Sequence, residues 1–146
     1  MTKAGVLLAI ATKQKTRAPM QLHAALELTA RGLPGERAHP ARSAVTVLSK
    51  EAWDAACREL GAKLPWTLRR ANLLIEGVDL AGSAGQRLSI GALVLEISEE
   101  TEPCRVMDAL HPGLRAALAP DWRGGVSCRV IAPAEIRVGA AVQLTR

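Results

Sequence analysis

The sequence predicts a mainly β protein, a closed or nearly closed β-barrel of short strands with a few short helices. Three observations lead there. Apolar, often β-branched runs of strand length recur along the chain, Gly and Pro punctuate them, and helical spacing is clear over one stretch only. At 146 residues the chain fits one domain, 1–146, long enough to bury a core without staples.

Val6 to Thr12 is a continuous apolar run and reads as the first strand. Leu22 to Ala30 is ambiguous by period and reads equally as a helix, ended by the turn Gly32-Leu33-Pro34-Gly35. Ala44 to Leu48 is β-branched and predicts a strand. Ser49 then stands at a helix N-cap, with Glu51 in the first turn, where a negative charge suits the dipole. Trp53, Ala56, Cys57 and Leu60 fall at helical spacing, and Gly61 closes the helix. Leu73-Leu74-Ile75 is a short apolar strand. Leu88 to Ile97 alternates with a phase slip at Gly91-Ala92, which predicts a hairpin. Pro112 to Leu118 predicts a short helix, and Val126 to Ile131 and Ile136 to Leu144 two final strands. No internal repeat, low-complexity segment or linker interrupts the series.

Composition excludes several classes. Hydrophobic residues at 49% and charged residues at 23% rule out a disordered tail or a collagen-like fibre. With three Trp and no Phe or Tyr, the core must be aliphatic and an aromatic platform for nucleic-acid bases is not expected. The net charge of +5 suits an anionic ligand or partner, or serves solubility alone. The densest cationic stretch, Lys13-Gln14-Lys15-Thr16-Arg17, reads as a solvated loop. No apolar run approaches the roughly 20 residues of a membrane span. The opening Met1 to Ala11 has the outline of a signal peptide, but its apolar stretch is short and cations follow where a cleavage site belongs. Three widely spaced Cys support neither a disulfide framework nor a zinc finger, and a cytoplasmic setting is expected.

The three His are scattered without a metal-binding spacing, and Walker, dinucleotide-binding and hydrolase-elbow motifs are absent. What remains is Glu102-Pro103-Cys104-Arg105. Here a thiol lies in a polar stretch just past a strand, beside a Pro that fixes the backbone and an Arg that favours thiolate. A thiolate is a nucleophile and a soft-metal ligand, although a single Cys is also commonly structural. Cys57 and Cys128 fall on apolar faces and read as core. Arg69-Arg70-Ala71-Asn72 offers two guanidiniums and an amide at a strand entrance, suited to a phosphate and a heterocycle edge or simply to the surface. Trp122-Arg123-Gly124-Gly125 reads either as an anion-binding nest of exposed amides beside Arg123 or as a plain turn.

Taken in order, these segments resemble a MOSC domain of the small stand-alone bacterial type. The family is named after the C-terminal region of molybdenum cofactor sulfurase. The resemblance spans roughly residues 26–142. It begins with Arg31-Gly32-Leu33-Pro34-Gly35-Glu36-Arg37, similar to the family's Gly-x-x-Gly-Asp-Arg, and continues through Ala44 to Glu51, Arg69 to Leu80 and Gly85 to Gly91. Pro103-Cys104 falls where the family keeps its Cys, and Pro112 to Arg115 and Trp122 to Val126 follow. Glu36 stands where Asp is usual, Ala38 interrupts the usual Arg-His pair, and Pro133-Ala134 and Ala140 replace a Gly-Gly and an Asp.

The resemblance implies a β-rich barrel and a role with molybdenum cofactor, a molybdopterin and so an anionic pterin. It makes Cys104 the catalytic residue and the molybdenum ligand, or a persulfide carrier. It places Arg70 and Asn72 on the cofactor's phosphate or pterin, with Arg37, Arg123, Gly124 and Gly125 in the same pocket. The activity implied is reduction of N-hydroxylated compounds. The alternatives are a non-catalytic sulfur or cofactor carrier in molybdoenzyme maturation, and a barrel that binds an anion or a partner without molybdenum. An electron-donor or sulfur-donor protein is the expected partner, since no pyridoxal phosphate, flavin, haem or iron–sulfur site of its own is visible.

Overall fold

Seven strands close on themselves in the computed structural model, which describes residues 3–15 and 18–145. They are β1 (Lys3–Thr12), β4 (Val45–Ser49), β5 (Leu73–Glu76), β6 (Arg87–Ile90), β7 (Leu93–Glu100), β8 (Val126–Ala132) and β10 (Ala141–Thr145). The ladder runs β10-β6-β7-β8-β4-β5-β1, and pairing of β1 with β10 completes the circle. Closure leaves these strands no free edge. β2 (Gln21–His23) extends the sheet beyond β1, and β3 (Ala25–Glu27) pairs with β9 (Glu135–Arg137) in a separate two-stranded ribbon.

Only β4 and β5 run parallel, and the helix that such a crossover needs is α1 (Lys50–Leu60) between them. Ser49 caps it by accepting from the Ala52 N–H at 3.3 Å, and Gly61 ends it at φ 64°. The helix lies outside the barrel against α3 (Leu114–Leu118). That packing explains the unbroken Leu73-Leu74-Ile75. Leu73 and Ile75 face the barrel interior, while Leu74 joins Leu48, Trp53 and Leu118 in a second cluster beneath the helices. A strand covered on both faces has no polar side. The hairpin β6–β7 turns at Gly91-Ala92 with Ile90 opposite Leu93, as its alternation predicts.

The structure corrects two expectations. Leu22 to Ala30 is not a helix: its residues complete two short ladders, Ile10 opposite His23 and Ala25 opposite Arg137, so distant partners decide its conformation. Ile136 to Leu144 is not one strand either, because Gly139 at φ 96° breaks it and sends β9 to β3 and β10 to β1. A five-residue helix, α2 (Val106–Leu110), has no capping side chain and no counterpart in the sequence reading.

The charged run after β1 is described through Lys15. Its Thr16 and Arg17 lie outside the described residues, as do Met1 and Thr2 of the opening segment. No helix among the described residues is long and apolar enough to cross a membrane.

Candidate functional site

Cys104 lies in the loop between β7 and α2, its side chain exposed and its thiol free. The loop is anchored from behind. The Thr101 N–H donates to the Gly125 carbonyl at 2.8 Å, the Thr101 and Ser127 hydroxyls lie 2.7 Å apart, and the Met107 N–H donates to the Cys104 carbonyl at 2.9 Å. The strongest tie is Arg69, only 8% exposed. Its Nε donates to the Gly124 carbonyl at 2.9 Å and its Nη2 to the Thr101 carbonyl at 2.7 Å, while Nη1 meets Met107 Sδ at 3.8 Å.

Among the described residues no carboxylate pairs with Arg69. Burial pulls its guanidinium below the ordinary value, and negative charge at Cys104 acts against that shift. Arg69 thus holds the loop through two carbonyls and Met107 Sδ, while Arg105, next to the thiol in sequence, is exposed at the head of α2. Burial, with the charge of Glu102, raises the Glu100 carboxyl at the start of the same loop. Of the other thiols Cys128 is core, as read, and burial pushes it up to about 12, which keeps it protonated. Cys57, on α1, is half-buried at the edge of the second cluster.

A second cluster forms around Arg70. Its Nη2 lies 3.5 Å from Glu36 Oε2 and 3.2 Å from His39 Nε2, and His39 Nε2 lies 2.8 Å from the same carboxylate oxygen. Glu36 Oε1 accepts from the Lys13 N–H at 2.6 Å, so this nearly buried carboxylate is fixed at both oxygens. Burial lowers the Arg70 guanidinium, the like charge of Arg37 adds to the shift, and Glu36 opposes it. Arg37 and Arg70 thus concentrate positive charge around one carboxylate.

The cluster forms the wall between two hollows. Glu36, Arg37 and His39 line one of about 490 Å³ in the segment 29–44. Arg70 and Lys13 line a groove of about 530 Å³ whose opposite side is α2, just beyond Cys104. Arg70 holds φ 64° and ψ 33°, a left-handed conformation that costs a non-glycine residue roughly 1–2 kcal/mol. A side chain kept at that cost is a pointer to its use. The same twist turns Arg69 towards the thiol loop and Arg70 towards Glu36.

The remaining predicted residues do not join this cluster. Asn72 is buried: its Oδ1 accepts from the Thr46 N–H at 3.0 Å and hydroxyl at 3.1 Å, and its Nδ2 donates to the Ala11 carbonyl at 3.2 Å. It ties β1, β4 and β5 together behind Arg70. Asn72→Ala is expected to lower the unfolding free energy by about 1–2 kcal/mol, because partners buried with it lose their hydrogen bonds. A urea titration reads that as a lower midpoint.

Arg123 donates to the Ala117 carbonyl at 3.0 Å and pairs with Glu59 at 2.8 Å, facing α1 and α3 instead. Gly124 and Gly125 are buried, so they are not a nest of exposed amides. A Cβ on Gly124 would stand 2.5 Å from the Thr101 carbonyl, which shows the glycine's purpose is close approach to the thiol loop.

The sequence offers Arg69 beside Arg70 for a phosphate and not as the tie of the thiol loop, does not single out His39 as a site residue, and shows Glu36 only as a departure. The available signal was their spacing: Glu36 and His39 at i,i+3 within one loop, and Arg69 directly before Arg70.

The family model for the MOSC domain matches residues 27–143. The fold is similar to the YuaD protein from Bacillus subtilis, with a TM-score of 0.78 and 19% identity over 99% of this chain and 96% of that one. It is similar also to YiiM from Escherichia coli, with a TM-score of 0.74 and 18% identity over 97% of this chain and 70% of that one. YiiM from Geobacillus stearothermophilus gives 0.70 and 16%, over 97% and 73%. Among curated proteins none matches.

Proposed function

The chain belongs to the MOSC domain family, and from that premise we propose that it binds the molybdenum cofactor, with Arg70 and Arg37 holding the anionic end and Cys104 as the thiolate ligand of the metal. Family members are associated with this cofactor. The observation that carries the reading for this chain is the step from Arg69 to Arg70, which joins a clamped, exposed thiol to a cationic cluster through adjacent residues.

The donor set suits the group. A soft thiolate is a ligand for a soft metal, and forked guanidiniums suit phosphate. Among the described residues no trio of His, Cys, Asp or Glu is placed to hold a metal ion, and this reading asks for one thiolate only. When bound, the cofactor supplies two-electron redox chemistry. This chain's own part is to fix the thiol: Arg69 and Gly124 hold the loop, and the exposure of Cys104 leaves it open to a substrate or a second protein.

The activity we infer is reduction of an N-hydroxylated compound, R–NHOH with two electrons and two protons giving R–NH2 and water, with a separate protein as electron donor in the cytoplasm. Exposure of Cys104 favours one second reading, sulfur carriage. The thiolate would take the outer sulfur of a donor persulfide, forming Cys104–S–SH and releasing the donor's thiolate.

The test is the molybdenum and pterin content of protein purified anaerobically from a cofactor-competent host. Near-stoichiometric metal is expected, lost in Cys104→Ser while pterin is retained, with both lost in Arg70→Met. Folded wild-type protein without either would overturn cofactor binding. A persulfide on Cys104 in that metal-free protein, seen as a 32 Da mass increment matching one sulfur atom, would support carriage.

A further inference from the structure

Single exposed apolar side chains are ordinary, and only their concentration in one place needs a reason. Five large aliphatic residues are exposed among the described residues. Three of them, Leu22, Val106 and Leu110, line the groove of about 530 Å³ bounded by β2 and α2. Their exposure is built in. On α2, Met107 turns inward to Arg69 and is buried, which leaves Val106 and Leu110, one helical turn apart, on the outer side. On β2, His23 lies 2.8 Å from the buried Thr12 hydroxyl, so its neighbour Leu22 falls on the other face of the strand. β2 is the edge of its sheet, and no further strand among the described residues covers it.

The groove is charged with one sign only. Lys13 and Arg70 line it, and no Asp or Glu does. Arg70 is held to Glu36 through Nη2. Lys13 gives Glu36 only its backbone N–H, and its ammonium has no hydrogen-bond or ion-pair partner among the described residues. This half-buried side chain is an incomplete pair: its stem covers apolar surface, but its charge has nothing opposite. The complement is a molecule with an apolar body and a negative group. The size points to a small molecule, since such sites are about 300–1,000 Å³, mostly apolar, with a few placed polar groups. A stable protein interface takes about 800 Å² from each partner, far more than three side chains offer.

We propose that this groove binds an organic anion with an apolar body, which lies along Leu22, Val106 and Leu110 and pairs its negative group with Lys13. The proposal deepens the reductase reading and rests on it for turnover alone. Because α2 begins just after Cys104, the compound reduced beside that thiol is an amphiphilic anion and not a cation. Binding in the groove itself requires no cofactor.

The probes are phenylbutyrate, phenylbutanol and phenylbutylamine, which share one apolar body and differ in charge. Each is titrated into the cofactor-free chain near neutral pH, and the methyl resonances of Leu22, Val106 and Leu110 report both the site and the affinity. All three compounds should move these methyls. The acid should bind about fivefold more tightly than the alcohol, with the amine weakest, as one partly screened ion pair allows. Raising the ionic strength from about 0.05 M to about 0.5 M should bring the acid close to the alcohol. Lys13→Met should do the same at low salt, with the backbone bond to Glu36 kept. Val106→Ser with Leu110→Ser should weaken all three about tenfold by removing the apolar wall. Both side chains are exposed, so the barrel resonances should stay in place.

Equal affinity for the acid and the amine would overturn the proposal, as would acid selectivity that survives Lys13→Met or shifts confined to residues outside the groove. Groove methyls that move with protein concentration instead of with the probes would show that a second copy covers this face, and would overturn it too. No molybdenum enters these titrations, so their failure is distinct from failure of cofactor loading in a competent host.

Discussion

Arg69→Met should lower the unfolding free energy by about 3 kcal/mol and loosen the loop that carries Cys104. The reason is asymmetric. The methionine removes a desolvated charge that has no carboxylate partner among the described residues, which by itself is a gain. It also leaves the Thr101 and Gly124 carbonyls without the donors that now reach them at 2.7 and 2.9 Å. Each orphaned buried acceptor costs about 1–3 kcal/mol, so the loss exceeds the gain. Arg69→Lys keeps the charge without the fork and should recover less than half of the difference, because one ammonium cannot span both carbonyls as the guanidinium does. A urea melt gives the stability. Hydrogen exchange over residues 101–107 gives the loop, where the Thr101 N–H bonded to Gly125 should lose protection in both variants. Unchanged exchange would mean that Arg69 is only a core residue and not the clamp of the thiol loop.

What could be read from the chain alone follows from where each element finds its partners. Leu73-Leu74-Ile75, the capped helix after Ser49 and the hairpin at Gly91-Ala92 carry their reasons locally, in burial pattern, caps and turn chemistry. β2, β3 and β9 do not. Each is three residues long and exists because a strand far away in sequence accepts it, as Ile10 does for His23 and Ile136 for Leu26. The site divides in the same way. Cys104 stood out because its neighbours in sequence are polar and fixed. The cation that ties down its loop is Arg69, far back along the chain, and nearness in sequence does not reveal it. Asn72 and Arg70 look alike as ligands in the sequence. Only burial separates the amide that ties three strands from the guanidinium that reaches Glu36.

Gly125→Ala should cost about 4 kcal/mol and displace the thiol loop, the largest effect expected from so small a change. Gly125 holds φ 93°, and a Cβ there would lie 2.3 Å from the Val47 carbonyl and 3.4 Å from Leu48 Cα. The obstacle is backbone, which has little room to give, since β4 pairs with β8 immediately beyond, Val47 opposite Val126. Backbone strain contributes about 1–2 kcal/mol and overpacking about 1–3 kcal/mol. Parting the strands would also pull the Gly125 carbonyl from the Thr101 N–H, another 1 kcal/mol or so. Gly139 is the matched control: its φ is 96°, and a Cβ there meets nothing within 4 Å. Gly139→Ala should therefore show the strain alone, about 1–2 kcal/mol. Equal losses at the two sites would mean that the contact with β4 is harmless. A larger loss at 125, with exchange opening over 101–107, would show that Cys104 is positioned by how closely β8 approaches β4.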